Sequence, residues 1–94
     1  MADLGAWDIN VDLNGMPQKV ATAFEGLSDM VGASYEFIAY IGSQQVNGVN
    51  HAVLAEQTIL TGKDVKNVVI IIFNEKGENI TLVSIERVVE GGQA

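Results

Sequence analysis

The stretch from Ala33 to Val89 most constrains this chain, because it reads as strand after strand with only short polar breaks. Tyr35, Phe37, Ala39 and Ile41 alternate with Glu36, Ile38 and Tyr40, the pattern of a long strand with one buried face. Gly42 near its end suggests a bulge or bend. Gln45-Val46-Asn47-Gly48-Val49 follows and contains Asn-Gly, the strongest short-range hairpin signal. A second long strand is expected from Asn50 to about Leu60, then a turn at Thr61-Gly62-Lys63-Asp64. The aliphatic run within Val65 to Phe73 predicts a third strand in a central position, covered at least partly on both faces. Asn74-Glu75-Lys76-Gly77-Glu78 reads as a polar hairpin loop, and the last strand runs from Ile80 into Val88-Val89. Gly91 to Ala94 reads as a frayed tail.

The first third of the chain differs. Trp7, Ile9, Val11 and Leu13 alternate with Asp8, Asn10 and Asp12, a short strand with its four apolar side chains on one face. Sharing a face with Ile9 and Val11, Trp7 is expected to pack under the helix, the alternative being a binding anchor on the N-terminal side. Asn14-Gly15 breaks the strand. Val20, Phe24, Leu27 and Val31 then recur at helical spacing, with Ala21 and Met30 widening the stripe. The expected helix spans Pro17 to Val31, with proline in its first turn and Gly32 closing it. One helix followed by four strands on short turns implies an α+β class. A single domain over residues 1–94 follows, with one helix packed across a four- to five-stranded antiparallel sheet.

Composition narrows the function classes. Five basic against twelve acidic side chains give a net charge of −7, without the basic footprint that nucleic acid or an anionic membrane requires. The longest apolar run, Val68 to Phe73, is far short of a membrane-spanning helix. With no cysteine there are no disulfides, thiolate metal sites or cysteine nucleophile, a composition suited to the cytoplasm. His51 is the only histidine and has no carboxylate within four residues, so it reads as a strand residue packing its ring. No metal site, cofactor or catalytic residue is expected, and an enzyme is the weaker hypothesis.

Gln44-Gln45-Val46-Asn47-Gly48 fits the pattern Gln-x-Val-x-Gly and is similar to the signature of the cystatins, inhibitors of papain-like cysteine peptidases. Gly48-Val49-Asn50-His51 continues into a strand as the family's Gly-x-Asn-aromatic does, and the order of elements resembles the cystatin fold over nearly the whole chain. Without cysteines the chain is closer to the stefin-like and plant-type members. The resemblance implies a reversible competitive inhibitor that blocks a peptidase cleft with a three-part wedge. Leu4 and Gly5 would form the N-terminal part, with Leu4 entering an apolar pocket of the peptidase. Gln44, Gln45, Val46, Asn47 and Gly48 would form the central part. The third part departs from the family, because the second hairpin lacks the Pro-Trp that many cystatins carry there. The alternative reading is a cystatin-fold binding or structural module that inhibits nothing. The expected species is a monomer. The β-branched Val46 and Val49 beside a tight turn suggest backbone strain that opening into a domain-swapped dimer would relieve.

Overall fold

A computed structural model describes residues 5–27, 32–60, 62 and 65–90. The elements are β1 (Trp7–Asp12), α1 (Gln18–Gly26), β2 (Ala33–Val46), β3 (Gly48–Ile59), β4 (Val65–Lys76) and β5 (Asn79–Glu90). The five strands form one antiparallel sheet in the order β1-β2-β3-β4-β5, and α1 packs on one face of it. This is the α+β arrangement that the strand spacing predicts.

The long strands set the shape. Fourteen residues of β2 span about 46 Å at roughly 3.3 Å each, and the long axis of the molecule is 48 Å. The radius of gyration, 13.9 Å, exceeds the value of about 12 Å for a compact chain of this length. The helix is much shorter. Its nine residues reach only about 14 Å, so it covers part of one face and none of the other.

Val20 and Leu27 enter a core with Tyr40, Val53, Ala55, Val69, Ile71 and Phe73. Phe24 meets Phe37 edge to face, with centroids 6.3 Å apart and planes at 83°. The helix begins after Pro17, whose φ of −53° suits that position. It ends at Gly26, with Leu27 in a tighter turn. The remainder of the expected helix, residues 28–31, lies outside the described residues, as do Thr61, Lys63, Asp64 and the tail from Gly91. No buried side-chain nitrogen or oxygen among the described residues lacks a hydrogen-bond partner.

Two bulges revise the expected faces of β2. Pairing with β3 shifts between Phe37 and Ala39 and again between Tyr40 and Gly42. Tyr35, Phe37 and Tyr40 therefore face the helix, whereas Ile41 faces away. Gly42 is the residue that permits this, since a Cβ there would collide with the Asp8 carbonyl oxygen of β1. The same shift relocates Trp7. It does not pack under the helix; together with Ile9 it sits on the outer face beside Ile41 and Ala52, and it remains 38% exposed.

The second hairpin is tighter than its polar sequence suggests. β4 continues through Lys76 and β5 starts at Asn79, leaving a turn at Gly77-Glu78 with Gly77 at φ 64°. In β4 the odd-numbered residues Asn67, Val69, Ile71 and Phe73 are buried, and the intervening aliphatics are half-buried. That matches the partial cover of both faces expected there, although the middle strand of the sheet is β3.

Candidate functional site

The first hairpin closes between Val46 and Gly48, which pair directly across Asn47. Gly48 carries a φ of 95°, and a Cβ at this position would stand 2.5 Å from the Glu75 carbonyl oxygen. Only glycine lets the tip lie this close to β4. Positive φ occurs only at glycines among the described residues. Val46 and Val49 therefore carry no left-handed strain, and the expected driving force for domain exchange is absent from this turn.

The N-terminal segment adjoins the same hairpin. The Gly5 amide donates to the Gln45 carbonyl at 2.9 Å, and Gln44 Nε2 donates to the Gly5 carbonyl at 2.7 Å. Gln44 Oε1 accepts from Asn50 Nδ2 at 3.0 Å, and Asn50 Oδ1 accepts from Asn74 Nδ2 at 2.9 Å. A ladder of amide side chains thus crosses β2, β3 and β4 and fastens Gly5 to the sheet. Gln44, half-buried, ties the N-terminal segment to the hairpin. Gln45 and Asn47 are exposed, while Val46 and Gly48 are half-buried. Leu4 lies outside the described residues.

The second hairpin reaches the same end of the sheet, because Val49 pairs with Glu75 and the Gly77-Glu78 turn follows directly. It is anchored from the helix side. Lys19 Nζ donates to the Gly77 carbonyl at 3.0 Å and lies 3.3 Å from Glu75 Oε2. Glu75 Oε1 is in turn 2.9 Å from His51 Nε2, and His51 Nδ1 is 2.8 Å from the Tyr40 hydroxyl. A carboxylate only accepts, so in neutral His51 the proton sits on Nε2 and Nδ1 accepts from Tyr40. His51 does pack its ring within the sheet, at 6% exposure. Its carboxylate partner comes from 24 residues away, through the β3–β4 register. A search limited to sequence neighbours could not find it.

The electrostatics follow from these contacts. The hydrogen bond from His51, and then the one from Lys19, hold the Glu75 carboxyl below its ordinary range. Burial pushes the Tyr40 phenol up. A hydrogen bond with Ser43 opposes that shift, and the carboxylates of Asp8 and Glu75 add to it. Tyr40 is thereby kept as a neutral donor to His51.

The geometry brings Gly5, the Gln44–Gly48 hairpin and the Gly77-Glu78 turn to one end of the sheet, tied on one face by the amide ladder and on the other by the Lys19–Glu75–His51–Tyr40 chain. No protein-family model, curated protein or solved structure matches this chain.

Proposed function

We propose that this protein is a reversible, competitive inhibitor of papain-like cysteine peptidases. The observation that carries the reading is the meeting of Gly5, Val46-Asn47-Gly48 and Gly77-Glu78 at one edge. Three short segments on adjacent tips make a narrow wedge able to enter a cleft. The Gln-x-Val-x-Gly resemblance supplies the target class. The inhibitor needs no catalytic residue, since the wedge occupies the cleft and offers no scissile carbonyl to the thiol.

Preorganisation supports this reading. Binding costs free energy wherever a loop must be ordered, and here Gly5 is already held by Gln44 and the Gly77-Glu78 turn by Lys19. The short Gly77-Glu78 turn presents no aromatic anchor. Such anchors usually dominate interface energy, so the N-terminal segment and first hairpin carry most of the affinity.

Val46→Asp tests the wedge directly. The aspartate would be desolvated without a partner in a peptidase cleft, so the inhibition constant rises several-fold or more. Because Val46 is half-buried, the change also costs about 1 kcal/mol of stability, and inhibition is compared at a temperature where both proteins are folded. Removing residues 1–4 tests the contribution of Leu4 while keeping Gly5, which is bonded to Gln44 and Gln45. Burying a leucine is worth at most about 1.5–3 kcal/mol, so its loss weakens the complex about ten- to hundred-fold. Inhibition unchanged by either alteration would refute the proposed wedge.

A further inference from the structure

The face of the sheet away from α1 carries an apolar groove of about 370 Å³. Its floor is Ala52, buried on this outer face by its neighbours. Trp7, Ile9 and Ile41 form one wall, and Ile70 and Ile72 form the other. Beyond them, on β5, the groove ends at Ser84 and Glu86, which pair across the ladder with Ile72 and Ile70. The two bulges in β2 create the site, because they turn Ile41 and the Trp7–Ile9 side of β1 outward around the small Ala52. The volume lies within the range of about 300–1,000 Å³ typical of small-molecule sites, which pair an apolar body with a few placed polar groups.

From this lining we infer that the groove binds a small hydrophobic amine. Glu86 supplies the only charged side chain in the lining, and its carboxylate has no ion pair or hydrogen bond from any described residue. Ser84, two residues away on β5, lines the same end of the groove. Glu86 is exposed at the end of the groove, so a neutral apolar ligand draws nothing from its carboxylate, and an anionic ligand would meet like charge. A cation pairs with that carboxylate. The chain's net charge of −7 favours the same sign of ligand. Strands β2 to β5 are separated by three inter-strand spacings, about 14 Å. An aryl or alkyl body of that reach covers Ala52 and the isoleucines while its ammonium group meets Glu86. This inference does not rest on the peptidase-inhibitor reading.

Trp7 is the only tryptophan and stands in the groove wall, so its fluorescence reports occupancy. The probes are 4-phenylbutylamine, its alcohol isostere 4-phenylbutanol, and 4-phenylbutyrate, each titrated into the intact protein. The amine is expected to give a saturable Trp7 signal and to bind about two- to fivefold more tightly than the alcohol, with the carboxylate weakest. In Glu86→Gln, a change on an exposed edge-strand residue, the amine should fall to the level of the alcohol. Calorimetric titration of both proteins confirms that the signal reports binding. The proposal is overturned if the amine gives no saturation up to about 10 mM, if amine and alcohol bind equally, or if Glu86→Gln changes nothing. A capped Leu-Lys-Leu peptide binding more tightly than the amine would also overturn it, by assigning the groove to a protein partner.

Discussion

Replacing Gly48 by alanine tests how the first hairpin is held against β4. Two costs combine. A side chain at φ 95° brings the left-handed penalty of about 1–2 kcal/mol. The new Cβ also meets the Glu75 carbonyl oxygen at 2.5 Å and the Lys76 Cβ at 3.4 Å. Since the oxygen belongs to backbone, the hairpin tip must withdraw from β4. That weakens the Val49–Glu75 pairing by about 0.5–1.5 kcal/mol per hydrogen bond. The sum, about 1.5–3.5 kcal/mol, is a large part of the 5–15 kcal/mol typical of a domain. It should lower the melting temperature by about 6–28 °C, given roughly 4–8 °C per kcal/mol in a domain of this size. Gly77→Ala is the internal control. Gly77 has a φ of 64° but open space around it, so it carries the backbone cost without the collision. Thermal and urea unfolding of both variants, followed by circular dichroism, separates the terms. A Gly48→Ala protein as stable as Gly77→Ala would refute the claim that the tip is packed on the β4 backbone.

Three further outcomes follow from the same contacts. Gly26 ends α1 with negative φ and nothing within 4 Å of an added Cβ, so Gly26→Ala should stabilise the protein by about 0.4–1 kcal/mol in urea unfolding. Gln44→Ala removes the bonds to Gly5 and Asn50; it should cost about 1–2 kcal/mol and speed amide exchange at Gly5 while leaving the β4 core protected. Glu75→Gln should flatten the acid limb of the stability curve. Because the Glu75 carboxyl is held below its ordinary range by His51 and Lys19, its stabilisation is fully present above the ordinary carboxylate range. It is lost as pH falls through the lowered value of the folded state. Urea midpoints of wild type and Glu75→Gln should therefore differ most above that range and converge below it.

Much of this architecture is legible in the alternation of residues. Period-two runs from Tyr35 to Val89 locate β2 to β5, and Asn47-Gly48 marks the first turn. The bulges are harder to see, because an extra residue in one strand leaves composition and average periodicity nearly intact. Gly42 is the single trace of them. Without the resulting change of face, Tyr35, Phe37, Ala39 and Ile41 read as one surface and Trp7 as a core residue; the real sheet divides them between two faces. The His51–Glu75 pairing is invisible for a different reason, since it depends on the register of β3 against β4 rather than on any local signal. At the candidate site, the hairpin could be placed from sequence, but the bonds that Gln44 makes to neighbouring segments could not. Its partners Gly5 and Asn50 lie 39 and 6 residues away.

Titration of papain activity with the purified protein tests the central functional proposal most directly. The proposed wedge predicts progressive, reversible inhibition that added substrate competes away, and a weaker response with Val46→Asp. Undiminished papain activity at high micromolar protein would contradict it.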